Sequence, residues 1–190
     1  MNKLINISST SIIIFSLLFF LACKVDSKTK PVQKPVQKVT TSDDHIASEL
    51  YEDYYNNPIS QDQKDQNLII EYISDKGYKV QRTESGMYYQ ITQPGSGPNY
   101  IHGQPCRAHY QGYFLDGKVF DSSYNRGEPI DFRVGQMNAG WNEALKLLRP
   151  GAKATLFLPS RLGYGAKGFP GYVPAHTCIL FDIELLGLAE

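Results

Sequence analysis

A chain of 190 residues and 21.4 kDa is too short for two full domains and leaves room for one domain plus extensions. Nineteen Lys plus Arg balance nineteen Asp plus Glu, so no basic excess draws the chain to phosphate backbones, and nucleic acid is excluded as the expected partner. Hydrophobic residues at 42% can fill a core; thirteen Tyr, nine Phe, sixteen Gly and eleven Pro point to a strand-rich, turn-rich fold or a recognition surface, and three Cys exclude a disulfide-dense scaffold.

The chain opens MNKLINISSTSIIIFSLLFFLAC, with one early Lys3 and an almost uncharged run from Ile12 to Leu21. That run is short of the ~20 apolar residues that span a bilayer, and it closes on a small residue before a cysteine, Ala22-Cys23, which is the shape of a cleaved signal. Residues 1–22 resemble a bacterial lipoprotein signal, with Cys23 as the acylated first residue of the mature chain, although Phe20 stands where Leu is commoner. The resemblance implies attachment to a membrane through lipidated Cys23, since acyl chains contribute ~0.8 kcal/mol per buried CH₂. It also implies a place in the cell envelope outside the cytoplasm, on the periplasmic side of the outer membrane. An ordinary cleaved signal or an uncleaved anchor are the alternatives. Residues 23–44 are polar, rich in Lys and carry a PVQK repeat with Pro31 and Pro35, which predicts an extended, disordered tether.

Residues 45–77 predict two short helices. In the first, Ile46, Leu50 and Tyr54 fall at helical spacing before Asn56, Asn57 and Pro58. In the second, Ser60 and Gln63 form a capping box ahead of Leu68, Ile69, Tyr72 and Ile73, with Gly77 as the stop. Glu49, Glu52, Asp53 and the tyrosines Tyr51, Tyr54 and Tyr55 fit a solvated face with apolar anchors better than a binding surface.

From Gly86 the period changes to two. Met87, Tyr89 and Ile91 alternate with polar neighbours, as do Cys106, Ala108, Tyr110, Gly112 and Phe114. Asp116-Gly117 predicts a hairpin closed by a type I′ turn, with Lys118-Val119-Phe120 returning. Trp141, Ala144, Leu145 and Leu148 at i, i+3, i+4 and i+7 predict one short helix, ended by Pro150-Gly151. Ala154, Leu156 and Leu158, then Ile179, Phe181, Ile183 and Leu185, are the inward faces of two last strands. The predicted class is α+β: a twisted antiparallel β-sheet wrapped around one short α-helix.

The chemistry menu is short. His45, His102, His109 and His176 are scattered without metal-ligand spacing, so no metal is expected. No nucleophile elbow, phosphate loop or dinucleotide fingerprint occurs, so no cofactor is expected either. Ser122 and Ser123 follow Asp121 without a matching His. What remains is an excess of aromatics around one acid, Asp121, flanked by Phe120 and Ser122, a composition suited to binding an apolar group.

Three stretches, HYQGYFLDGKVFDSS (109–123), GW followed by ALKLLRPGAKATLFLP (140–159) and YGAKGFPGYVPAHTCILFDIELL (164–186), resemble the FKBP family of peptidyl-prolyl cis/trans isomerases over residues 86–190. The resemblance implies a twisted antiparallel sheet around a short helix and an X-Pro isomerase that acts on proline-containing polypeptide segments with no cofactor. Carried over position by position, Tyr110, Asp121 and Tyr164 are the catalytic candidates, with Phe120, Trp141 and Phe181 as pocket walls. The remaining substrate-binding candidates are Ile130, Met137, Asn138, Phe169, Tyr172 and Val173. Ile130 stands where an aromatic is usual, Met137-Asn138 where Val-Ile is usual, and Phe169 and Tyr172 where His and Ile are frequent.

Without the family, Trp141 and Phe181 read as core; given the resemblance, a structural hydrogen-bonded pair stays the alternative for Tyr110 with Asp121. Cys106 and Cys178 read as two separate buried thiols rather than a bridge. Two other function classes compete with the isomerase. One is a non-catalytic module that holds proline-containing segments. The other is a structural part of an envelope assembly, docking through residues 45–76, as the tether and helices resemble gliding-motility-associated lipoprotein isomerases of Bacteroidota.

Overall fold

The structure is a computed structural model and describes residues 50–189. The signal, Cys23, the tether and the start of the first predicted helix lie outside the described residues. Strand and helix follow the two periods in the sequence. The strands are β1 (Gln81–Arg82), β2 (Tyr88–Gln93), β3 (Pro105–Phe114), β4 (Val119–Ser122), β5 (Ile130–Arg133), β6 (Lys153–Leu158) and β7 (Ile179–Gly187), of which β1 and β5 lie outside the alternating stretches read from the sequence. The 3.6-residue stretches form α1 (Gln61–Lys76) and α3 (Ala139–Leu147), with a single turn, α2 (Ser123–Arg126), after β4.

Every pairing is antiparallel, in the order β1-β2-β6-β7-β3-β4, and β5 pairs with the first half of β3. The long β3 is therefore the spine: β7 runs along one side, and β5 and β4 share the other. Successive side chains on a strand face opposite ways. On β7, Ile179, Phe181, Ile183 and Leu185 join the core under α3, while Leu180, with Cys178 just before the strand, lies in a second cluster with Phe157, Tyr88 and Tyr113.

That second cluster lies on the opposite face of the sheet from α3. Its other half is α1, through Ile69, Ile70 and Ile73, each at most 1% exposed. The helix begins as its capping box requires: Ser60 Oγ accepts from Gln63 N–H, and the Gln63 side chain reaches back to Ser60 N–H. Its buried face is rotated from the predicted one. Leu68 is exposed, Ile70 is buried, and two polar residues, Asp65 and Asn67, are buried with it. Asn67 pairs with both backbone groups of Tyr55, tying the preceding segment to the helix. In that segment the helical state ends at Tyr51, short of the predicted stop at Asn56, and Tyr54 donates its hydroxyl to Glu71 instead.

The β3–β4 hairpin also departs from expectation. Gly117 N–H closes a turn onto Phe114 carbonyl, and Gly117 alone in the loop has positive φ, 86°. This is a three-residue loop with a left-handed glycine after an ordinary turn, not a type I′ turn, because Asp116 stays at negative φ and uses its carboxylate to accept Lys118 N–H. Cys106 and Cys178 are both free and buried.

Candidate active site

The spine strand, the hairpin and α3 converge on a cavity of about 200 Å³ lined by Tyr110, Asp121, Gln136, Met137, Asn138, Trp141, Tyr164 and Phe181. Trp141 is its floor. It enters in the first turn of α3 because Asn138 caps that helix, its side-chain oxygen accepting Trp141 N–H at 3.0 Å. The indole is fully buried, with Tyr110, Phe132 and Phe181 edge-on around it at centroid distances of 5.5, 5.6 and 5.5 Å. Its Nε1–H has no hydrogen-bond partner among the described residues.

Phe120 stands behind Phe181, edge to face at 5.7 Å. The two rings close over β3 only because position 112 is glycine: a Cβ there would lie 2.6 Å from Phe120 Cζ and 2.8 Å from Phe181 Cε1.

The polar side of the cavity is a network of three groups. Tyr110 donates its hydroxyl to Asp121 Oδ2; Arg126 donates one guanidinium nitrogen to Asp121 Oδ1 and the other to Tyr110 Oη at 2.9 Å. The guanidinium also lies over the Tyr110 ring, 5.5 Å from its centroid. Arg126 is a site residue that sequence reasoning missed, as is Gln136 on the rim. The available signal was position: Arg126 is the last residue of the turn begun by Ser122, and one turn of helix folds it back over Asp121.

Tyr110 is held protonated. Burial, then its bond to the Asp121 carboxylate, push its pKa up to about 12, with Arg126 acting in the opposite sense. Burial pushes Tyr88 and Tyr100 to about 12 as well. Their raised values stabilise the fold fully below the ordinary tyrosine pKa of 10.0, and that contribution is lost as pH rises toward about 12. Alkaline titration should therefore show tyrosinate absorbance appearing together with loss of the circular dichroism of the fold. Smooth ionisation of all tyrosines near their ordinary value in a folded protein would contradict this.

Of the remaining predicted residues, Tyr164 lines the cavity, whereas Phe169, Tyr172, Ile130 and Val173 do not. Tyr164 stacks on Phe169 at 5.3 Å and Phe169 on Tyr172 at 4.9 Å, a row of rings leading outward in which Phe169 and Tyr172 are exposed. Ile130 is half-buried against the core. Val173 is 4% exposed, packs in the core and closes the Phe169 turn by two backbone bonds.

Ser123 is a further correction: a histidine does reach it, with His109 Nδ1 3.0 Å from Ser123 Oγ. The serine is fully buried, and its Oγ accepts Tyr110 N–H and donates to Tyr110 carbonyl, so it braces β3 and has no room to attack a substrate.

Residues 98–186 match the family model of FKBP-type peptidyl-prolyl cis-trans isomerase. Among curated relatives, the FKBP-type peptidyl-prolyl cis-trans isomerase FkpA of Aeromonas hydrophila is 36% identical over 165 residues, which is 86% of this chain and 60% of that protein. This chain thus spans less than two thirds of that relative's length. The crystal structure of FkpA from Escherichia coli is similar with a TM-score of 0.60 at 33% identity, over 74% of this chain and 63% of that one. The crystal structure of AtFKBP13 is matched over its whole length, and 59% of this chain, at 38% identity and a TM-score of 0.56. With a relative of that identity covered end to end, and the aromatic cavity in place, the chain belongs to the FKBP-type peptidyl-prolyl cis-trans isomerase family.

Proposed function

We propose that this protein is a peptidyl-prolyl cis/trans isomerase that accelerates rotation of X-Pro bonds in exported or envelope proteins. The single observation that supports it most is the cavity itself: an apolar floor of Trp141 with Tyr110 and Phe181 as walls, and one acid held at its edge.

The barrier to rotation is about 18–20 kcal/mol, because the planar amide has a resonance that the twisted one lacks. The planar form also carries the larger charge separation. Transfer from water into the aromatic cavity therefore disfavours the planar state more than the twisted one, a differential effect and so a catalytic one. Each ~1.4 kcal/mol of that difference is tenfold in rate, so a few kcal/mol suffice, with no nucleophile, metal or cofactor in the step. Tyr164 Oη, on the rim, serves the substrate backbone. Asp121 has both oxygens engaged, one by Arg126 and one by Tyr110. Its role follows: it fixes the Tyr110 ring against the indole and keeps the hydroxyl protonated, rather than acting as a free charge beside the rotating carbonyl.

A peptide isomerisation assay tests this. Asp121→Ala leaves Arg126 without its carboxylate and Tyr110 without its acceptor, and should lower kcat/KM by roughly ten- to a hundredfold in a protein that stays folded. A folded parent with no rate above the uncatalysed one sinks the isomerase reading. The tether-borne module that only holds proline-containing segments then takes its place.

The same reading places the protein in the cell envelope, anchored through acylated Cys23. Its support is the apolar run from Ile12 to Leu21 closed by Ala22-Cys23, followed by a Lys- and Pro-rich stretch. Replacing Cys23 by serine should abolish fatty-acid incorporation and release the protein from membranes; unchanged incorporation would contradict anchoring at that residue. An envelope partner, which the resemblance to gliding-motility-associated lipoproteins implies, would dock on residues 45–76. Since α1 carries part of the core, that docking is to be probed by exchanging its exposed residues, such as Leu68, and not by deletion.

A further inference from the structure

On the far side of the sheet from the cavity, α1 grips the turn that leads to Tyr164. Asp65 is fully buried, and both its oxygens are used: Oδ2 accepts Ser160 N–H at 2.8 Å and Oδ1 accepts from Gln61 Nε2 at 2.7 Å. Its carbonyl accepts the Cys178 thiol at 3.7 Å. One turn earlier on the helix, Asp62 pairs with Arg161 Nε at 3.1 Å. Two carboxylates of one helix thus hold two consecutive residues, Ser160 and Arg161, which open the 3₁₀ turn Ser160–Leu162.

A buried carboxylate is a costly way to fasten a helix that three isoleucines already dock, because desolvating the charge opposes what the bond contributes. What the charge adds is direction. It is aimed at one backbone N–H, and a charge-assisted bond of that kind is shorter and stronger than a neutral one.

From Ser160 to Tyr164 the chain has no slack. Leu162 N–H bonds Pro159 carbonyl, Gly163 N–H bonds Ser160 carbonyl, and Gly163 lies so close to β7 that a Cβ there would fall 2.9 Å from Ile179 Cδ1. Displacing Ser160 therefore displaces Tyr164, whose ring lines the cavity.

We propose that Asp65 is a positioning residue of the isomerase site: through it, α1 sets the place of the Ser160–Gly163 turn and hence of the Tyr164 hydroxyl over the cavity. The proposal rests on the isomerase reading above and makes the N-terminal helix part of the working enzyme.

The test is a cycle in the full chain: Asp65→Ala and Asp65→Asn, each with Tyr164 intact and with Tyr164→Phe. It reads kcat and KM separately on an X-Pro peptide, and peptide affinity from the fluorescence of Trp141, the single tryptophan. Asp65→Ala should lower kcat/KM roughly tenfold with Tyr164 present and less than about twofold in Tyr164→Phe, with Asp65→Asn intermediate. Equal losses in both backgrounds, or a lower melting temperature with kcat/KM of the folded protein unchanged, overturn the proposal and leave Asp65 as a packing residue. If Asp65→Ala does not fold, the Asp65→Asn pair decides alone. If the parent binds the peptide without turning it over, the isomerase reading fails. The same cycle in affinity then decides: coupling to Tyr164 supports positioning and additivity overturns it. A parent that neither binds nor turns over overturns both.

Discussion

Replacing Trp141 with alanine is expected to lower stability by about 3–5 kcal/mol, the range for truncating a buried large aromatic. The side chain is fully buried and its ring touches three others edge-on, so its removal opens a cavity beneath Tyr110, Phe132 and Phe181 that a rigid sheet cannot close. Loss of an N–H that has no partner among the described residues offsets a small part of the cost. Against a whole stability on the order of 5–15 kcal/mol, the variant should still fold in the cold but unfold at a much lower urea midpoint. Circular dichroism in urea measures that shift. Affinity for proline peptides should fall with it, because the same ring is the floor of the cavity. A variant with an unchanged midpoint would show that the indole is not packed as described; one that keeps full isomerase activity would remove Trp141 from the site.

The second large effect concerns the N-terminal helix. A chain beginning at Tyr78 loses Ile69, Ile70 and Ile73, which at about 1.5–3 kcal/mol for each buried side chain amounts to roughly 5–9 kcal/mol of burial. That is comparable to the total stability of a domain. It also uncovers Phe157 and Leu180, both fully buried, on the middle of the sheet. The truncated protein should therefore be aggregation-prone or unfolded, as light scattering and circular dichroism would show. Ile70→Ala in the full chain should cost about 2–5 kcal/mol by itself. A soluble, cooperatively melting fragment would show that the sheet tolerates an open face and that α1 is an accessory.

The two predictions concern opposite faces of one sheet, and they were not equally legible. Trp141, Leu145 and the alternation of β3, β6 and β7 carry their own periodicity, so the helix, the strands and the core beneath α3 follow from the sequence. Tyr110 was marked by the family resemblance, and Asp121 by the same resemblance and as the one acid among the aromatics. Arg126 was not, because an arginine in a polar loop has no period to betray it; only the turn of α2 folds it onto the Asp121–Tyr110 pair. The pattern Leu68, Ile69, Tyr72, Ile73 gave a helix but the wrong face, since a helix has no inside until a sheet is laid against it. Burial of Asp65 in place of Leu68 was decided by the Ser160 N–H waiting on the other side.

The family resemblance marked the pocket residues Tyr110 and Asp121; by itself, the sequence determined the start of α1, the helix bearing Trp141 and the strands β2, β3, β6 and β7. Those properties depend on residues close together along the chain, through hydrogen-bonding period, capping and side-chain alternation. The tertiary structure alone decided that the sheet is covered on both faces and that Asn138 spends its side chain on a helix cap. It also decided that the acid of the pocket is bound at both oxygens, and that a carboxylate 95 residues before Ser160 in sequence holds the turn bearing Tyr164. Each of these depends on partners distant in sequence, where geometry and desolvation, not local propensity, determine which group meets which.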